Sequence, residues 1–572
     1  MPQAVNKKVR SRAAAILCWM LCLCHLDSRA QVNYAWAVKQ KSGGTMNETP
    51  AAMCLGGDGQ VYVAINFNST QIEFKTGLFI DNTNYGYDDV AIVKYDAASG
   101  QLLWVKQLHG KYHDRSTSIV SDANGTIYVG GTYRSTYLTM GQDTVWNIEE
   151  NSSYPQEDMF VIALSEDSGN LKWIKSFGGT KADYLTALQA DKMGNVYAGG
   201  YYYSSVLNIG NTELTTNNNS NMFLAKLNGT NGSVLWARSS SSGGQGYETL
   251  KSISLDEHGN IYAAGEFNSP WLVFDSIMLL RENLIDVFLV RFNAQGVATW
   301  GMVYAEPLND YVQSIALHHN SIYLCIDSTV NYNNGIWPQR SKLMKLNISN
   351  KNIEWEKSLP AIRFSRVVID TSGYIFTCGF ASDTVNVDGV SINCVKNYYA
   401  SHFVLALDTG SGNALWAKTY TKFISSNFII DKSRIQSICT DHNGTLYTGC
   451  YFQDIGIQLD NITCLNAEPT GYDYIVSRIN YSYIGVGIKE TFSDNKVILY
   501  PNPASDVVYV QTDPFINRGS LRVFNSLGVL VMEKQITDNN INMEVSHWPP
   551  GMYYLQLSTK KASGVRGFVI QH

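Results

Sequence analysis

Histidine and cysteine are the side chains here best suited to bind a metal or activate a nucleophile, and their spacing gives little support for either. His109, His113 and Asp114 fall within six residues, between two strand-like stretches. A metal or catalytic cluster there is conceivable, but no further ligand repeats the pattern, so a solvated loop is the better reading. His318 and His319 are adjacent, which on a strand points their rings to opposite sides. Beyond residue 30, cysteines stand at 54, 325, 378, 394, 439, 450 and 464, with no Cys-x-x-Cys among them and hence no zinc spacing. Gly-x-Ser-x-Gly and His-Glu-x-x-His are also missing. Recurrent Asp-x-x-Gly turns lack the extra carboxylates and closing Glu of a calcium loop. No catalytic, cofactor-binding or metal-binding residue is assigned, and no enzyme activity is expected. A hydrolase or lyase whose carboxylates came from separate parts of the chain would leave no motif and stays the alternative.

The elements that would position such residues are strands. Apolar residues make up 45% of the 572, aromatics 12% and charged residues only 16%, with 46 glycines. That mixture favours β-sheet with tight turns over disorder or coiled coil. The net charge of −6 leaves no basic footprint for nucleic acid.

A repeat organises the chain. Trp36, Trp104, Trp173, Trp236, Trp300, Trp355 and Trp416 are spaced by 55 to 69 residues. Between them recurs a phrase such as Asp122-Ala-Asn-Gly-Thr-Ile-Tyr-Val-Gly-Gly131, and then one such as Asp286-Val-Phe-Leu-Val-Arg291. Each unit reads as four short strands, A to D. Strand A ends at the Asp, whose side chain and following Gly form a turn. Strand B carries paired glycines that let backbones approach closely. A variable loop precedes strand C, and strand D carries the Trp. Such a unit of about 60 residues describes a propeller blade. The chain begins with a lone D strand, 34–39, and the repeat ends with a lone C strand, 473–480. Joining them would close the ring and remove an exposed edge. Residues 31–481 are therefore expected to form an all-β, seven-bladed β-propeller. The fifth unit is the most degenerate, with His-His-Asn-Ser in place of Asp-x-x-Gly and no Gly before Trp355.

The repeat resembles the SBBP-type seven-bladed propeller of exported bacterial proteins, whose motifs specify fold and not activity. Asp96 to Trp104 and Asp408 to Trp416 resemble the tryptophan-docking motif of quinoproteins, which implies that the seven Trp dock neighbouring blades. A quinoprotein dehydrogenase would also need adjacent cysteines in many members and eight blades. Cys54 and Cys439 fall at one strand-A position of the first and last units. Cys378–Cys394 and Cys450–Cys464 have offsets compatible with bridges within a blade, although buried, reduced thiols are the favoured reading.

After a linker at 482–497, a different pattern begins. Tyr500-Pro501-Asn502-Pro503 is followed by Val523-Phe-Asn-Ser-Leu-Gly528, then Gly551, Tyr553 and Leu555. Residues 498–572 resemble the C-terminal type IX secretion sorting domain (type A) of the Bacteroidota. The resemblance implies a small immunoglobulin-like β-sandwich that docks on the outer-membrane translocon. Two departures are Asn525, where the family often has Asp, and Arg566, where it has Lys.

Residues 1–30 read as a secretory signal peptide: four basic residues, an apolar run from Ala13 to Leu26, and cleavage between Ala30 and Gln31. The run is too short to span a bilayer, and no transmembrane segment is expected in the mature chain. Cleavage would leave a net charge of −10. The expected route is through the periplasm to the cell surface or medium. Loops joining B to C and D to A, rich in Asn, Tyr and Ser, emerge on one face and suit an extracellular glycan or protein ligand. The expected role is thus a binding or interaction module without a cofactor. A structural surface component is the other non-catalytic reading.

Overall fold

The computed structural model describes residues 31–42, 48–329, 340–394, 401–423, 434–482, 497–512, 519–525, 530–536, 540–559 and 563–571, except 76, 83, 85, 150, 217–219, 308, 442–443, 453–455 and 466–471. The signal-peptide residues, Ala30 included, and Gly528 of the sorting motif lie outside them. All described regular structure is strand. One compact unit is Val32–Tyr481, and the described residues from Ser482 onward belong to a second.

In the first unit the repeat becomes four-stranded antiparallel sheets. One contains Asp114–Ser121, Thr126–Tyr133, Asp158–Ser165 and Leu171–Phe177, in that spatial order. The third strand is buried along nearly its whole length because neighbouring sheets cover both faces. Among the described residues seven sheets follow this plan. Their first strands pack side by side in the order Glu48–Leu55, Asp114–Ser121, Asp183–Ala190, Glu248–Leu255, Asn309–His318, Ile362–Ile369 and Arg434–Thr440, and the last packs on the first. Strand Gln31–Lys39 completes the last sheet by pairing with Asp473–Ser482. Sheets arranged radially around a ring of inner strands are a β-propeller.

The paired glycines have a steric cause. A Cβ on Gly131 would lie 1.9 Å from the Arg115 carbonyl oxygen, and one on Gly200 1.9 Å from that of Tyr184. The close approach occurs where each inner strand bulges by one residue, between partners such as Ser116 and Ser118. The Asp turns also follow from local chemistry. Asp122 accepts from the backbone N–H of Asn124 (2.7 Å) and of Thr126 (3.0 Å), fixing the turn from first to second strand.

One part of the plan differs from the expectation. The segment between second and third strands is not simply a loop. Among the described residues it carries a two-stranded hairpin in six sheets, such as Tyr137–Met140 with Asp143–Trp146. Several of these hairpins also pair with the preceding sheet, either with the end of its fourth strand, as Leu138 with Gly110, or with a short strand just beyond it, as Val273 with Ser241 and Gln458 with Thr421. Hydrogen bonds thus cross from sheet to sheet, beyond the packing of side chains. Strands of three to five residues are too short to show alternation against the turn residues that flank them.

Carboxylates recur where first strands begin. Ser135 Oγ donates to Asp114 (2.9 Å), Ser204 to Asp183 (2.8 Å), Ser328 to Asp310 (2.5 Å) and Ser269 to Glu248. Burial pushes Asp183 and Asp310 up to about 6 and Glu248 up to about 7. It also raises Asp89 to about 7 and Asp158 to about 8. Because the unfolded chain releases these protons near pH 4, the folded chain binds more protons between about pH 4 and 8. Stability from these groups is fully present below the unfolded value and is lost as pH rises through 6 to 8. The urea midpoint is therefore expected to fall from pH 5.5 to 8.5. Asp158→Asn, a neutral isostere, should flatten that slope, and a midpoint that rose with pH would refute the assignment.

The second unit has two antiparallel sheets. Val497–Tyr500, Val507–Thr512 and Asn540–Glu544 form one; Leu530–Ile536, Gly519–Asn525, Gly551–Thr559 and Ser563–Ile570 form the other, each in spatial order. Val508, Met543, Val523, Leu555 and Phe568 come from both sheets into one core.

Candidate functional site

The seven tryptophans lie on their own sheets and face the next. Trp36 Nε1 donates to the carbonyl of Ala97 (3.2 Å), Trp104 to Glu166 (3.1 Å), Trp173 to Gly229 (2.7 Å) and Trp355 to Thr409 (3.2 Å). All four acceptors sit in the turn before the next sheet's fourth strand. The turn's left-handed glycine lies under the ring: a Cβ on Gly232 would be 2.8 Å from Trp173, and one on Gly296 2.9 Å from Trp236. Where the fifth unit lacks that Gly, Lys351 takes φ 62° and sets its ammonium 5.5 Å from the centre of the Trp300 ring. Trp416 packs against Tyr481, 6.2 Å between ring centres. Each of these contacts joins one sheet to the next.

The histidine cluster is not one site. His109 pairs with Thr139 inside a strand, and Asp114 is buried on Ser135. His113 Nδ1 instead meets Asp88 Oδ2 at 2.7 Å, with Arg115 Nε 2.6 Å from the same oxygen. Burial raises the Asp88 carboxyl, but the bonds from His113 and Arg115 outweigh it and hold the group below its usual range. His318 and His319 correct the expectation of diverging rings. His319 takes φ 51°, so the chain turns there and the ring centres lie 4.1 Å apart. Two residues on a strand diverge; across a left-handed turn they need not. Among the described residues the seven cysteines are reduced, and the suggested pairs 378–394 and 450–464 are not bridged. Cys378 Sγ faces the Ile435 carbonyl (3.9 Å) and Cys394 Sγ that of Ala381 (3.5 Å). Among the described residues no group of three His, Cys, Asp or Glu could hold a metal ion.

An aromatic belt lies on the face from which first strands start. Tyr87 and Tyr112 meet edge to face at 5.4 Å, and Tyr112 meets Tyr154 at 5.1 Å. Tyr154 is 44% exposed, with the Arg134 guanidinium 4.3 Å from its ring centre. Arg134 also pairs with Glu157 (3.3 Å). In the next sheet Tyr184 stacks on Tyr201 at 5.0 Å, and Tyr203 packs against both. Tyr87, Tyr112, Tyr184, Tyr201 and Tyr203 are half-buried, so packing holds the rings in place while part of each stays accessible. Sequence reading found the richness in Tyr, but not which rings meet, because partners come from different loops.

In the second unit the Tyr-Pro-Asn-Pro segment is tied to the last strand. Asn502 Oδ1 accepts from Val569 N–H (2.8 Å), and Ala504 N–H donates to the Val569 carbonyl (2.9 Å). Tyr500 stacks on Tyr509 at 5.4 Å, and both are largely exposed. Tyr553 lies in the core against Trp548 and Phe568 and donates to the Pro549 carbonyl (2.8 Å). Gly551 opens the strand that follows.

Comparison with known proteins bears on both units. Residues 498–571 match the family of secretion system C-terminal sorting domains. That match marks the chain as cargo of the type IX secretion system, exported across the outer membrane to the surface or the medium. An uncharacterized WD repeat-containing protein of Acanthamoeba polyphaga mimivirus is 24% identical over 268 residues, covering 40% of this chain and 19% of that protein. The regulatory protein FlaEY of Caulobacter vibrioides is 29% identical over 145 residues, 25% of this chain and 14% of that one. The chain thus spans less than a fifth of the length of either relative. Similar solved structures include the WD40 β-propeller domain of Doa1 (TM-score 0.38, 10% identity, 79% of this chain and 97% of that one). Quinohemoprotein alcohol dehydrogenase from Comamonas testosteroni is another (TM-score 0.33, 11% identity, 83% and 79%). No helix among the described residues is long and apolar enough to cross a membrane.

Proposed function

We propose that this secreted propeller protein binds an extracellular glycan through the tyrosine belt. Its seven sheets are the blades of a seven-bladed SBBP-type propeller, closed by the pairing of 34–39 with 473–480. Residues 482–497 are a linker, and 498–572 an immunoglobulin-like sandwich. The signal peptide, cut after Ala30, brings the chain to the periplasm of a Bacteroidota cell, and the sorting domain takes it onward. The run of rings from Tyr87 through Tyr112 and Tyr154 carries the binding reading. Aromatic faces stack on sugar rings, and Arg134 and Glu157 beside them supply directional hydrogen bonds. No catalytic role is assigned.

The test is retention of the mature chain, from Gln31 on, on a polysaccharide and glycan panel, read also for product release. Tyr112→Ala and Tyr154→Ala are expected to weaken retention about tenfold each, the loss of about 1–2 kcal/mol per aromatic anchor. Retention unchanged in both variants would remove the belt from the site. A second reading, a glycan hydrolase or lyase, draws on His113 oriented by Asp88 on the same face, an arrangement suited to proton transfer. Released products that vanish in His113→Ala would establish it.

A further inference from the structure

The inner strands enclose a central channel of about 460 Å³. Its described wall contains no Asp or Glu, although the chain as a whole is acidic. Two cations line it, Lys251 and Arg366.

Arg366 is out of pattern. Each inner strand bulges once, and the residue after the bulge holds an equivalent place in all seven sheets. Six of those places carry Ala52, Ser118, Ala187, Ser252, Ser314 and Ser437; the seventh carries Arg366. A small side chain therefore satisfies the packing, and the fold does not need an arginine there. Ser118 Oγ accepts from Leu188 N–H of the next strand (3.1 Å) and Ser252 Oγ from Ile315 N–H (3.2 Å). Ser437, 2% exposed on the strand beside Arg366, has no partner for its hydroxyl. Among the described residues no hydrogen bond or ion pair engages the Arg366 guanidinium, and desolvation lowers its pKa. Lys251 is held loosely, 3.8 Å from Glu266, whose carboxylate also accepts from Thr249 (2.5 Å).

An enclosed charge without a counter-charge costs stability, and one kept at a place where serine suffices calls for an anion. A guanidinium offers two parallel N–H donors that match the two oxygens of a carboxylate. We propose that the central channel is a binding site for a small carboxylate-bearing molecule, gripped by Arg366 and hydrogen-bonded by Ser437. The channel is wide enough for a single acidic sugar or an amino acid. This site is separate from the tyrosine belt and does not depend on it.

The probe is D-glucuronate, with glucose as its neutral counterpart and inorganic phosphate as a different anion. Calorimetry and thermal shift are measured on the mature chain. Glucuronate is expected to bind and raise the melting temperature, glucose to do neither, and phosphate to bind at least tenfold more weakly. Arg366→Gln should abolish glucuronate binding while leaving the ligand-free melting temperature equal or higher. Arg366→Lys and Ser437→Ala should each weaken binding several-fold, and Tyr112→Ala should leave it unchanged. Equal glucuronate binding by wild type and Arg366→Gln overturns the proposal. So does a wild type that binds no anion while Arg366→Gln melts lower, which would make the arginine structural. Tighter binding of phosphate overturns the carboxylate assignment.

Discussion

Replacing Trp36 by alanine should destabilise the propeller by about 3–5 kcal/mol, the range for truncating a buried tryptophan. Trp36 is 9% exposed and lies in a core built from both ends of the repeat: Val63, Phe67 and Tyr95 of the first sheet with Tyr447, Tyr474 and Val476 of the last. Its indole N–H reaches the Ala97 carbonyl, and its ring covers Gly100, where a Cβ would lie 2.8 Å away. Truncation would lose apolar burial and a hydrogen bond together, and rigid sheets on either side cannot collapse into the space. The strand that carries Trp36 joins the chain's beginning to residues more than 400 positions later. Nothing local holds it, although Lys39 adds an ion pair with Asp473 at 2.6 Å. Urea titration of the variant measures the loss. Trp146, 58% exposed on a hairpin, is the control, and its alanine variant should stay within about 0.5 kcal/mol of wild type. If the two variants unfold at the same urea concentration, closure does not rest on Trp36.

Removing residues 498–572 should reduce the amount of protein outside the cell at least tenfold, with the truncated chain retained inside the envelope. The sorting family covers nearly all of that segment. The segment also has a core of its own, with Trp548, Tyr553 and Phe568 at its centre, so its loss takes no side chain from the propeller core. The truncated chain should therefore remain folded, with a urea midpoint close to that of the full chain. A narrower lesion tests the same structure. Asn502→Ala removes the side-chain acceptor of Val569 N–H and loosens the last strand, so export should fall partially. Immunoblots of medium, surface-protease-treated cells and periplasm distinguish these outcomes. A truncated chain that reaches the medium as well as wild type would show that another segment carries the signal.

Much of the architecture is legible in the linear order of residues, because its causes are local. Tryptophans at a steady interval, Asp turns that cap their own backbone, and glycines where a Cβ would strike a carbonyl each act within one sheet or its nearest neighbour. The same pattern marks its own exceptions: the unit lacking Gly before Trp355 is the one where Lys351 adopts the left-handed conformation. Histidine was harder to read. His318 and His319 looked divergent on a strand, but a left-handed residue folds them together, and the preceding sequence carries no Gly to announce it. Asp114 is the sequence neighbour of His113, yet the partner is Asp88, 25 residues earlier, because that carboxylate is the one turned toward the ring. The meeting of Tyr112 with Tyr154 and the place of Arg366 on the channel wall depend on how sheet packs against sheet, which sets distances between residues that no local rule relates. Arg366 shows the boundary between the two. Aligning the seven inner strands reveals an arginine among serines and alanines, but not that it lines a channel whose described wall holds no carboxylate.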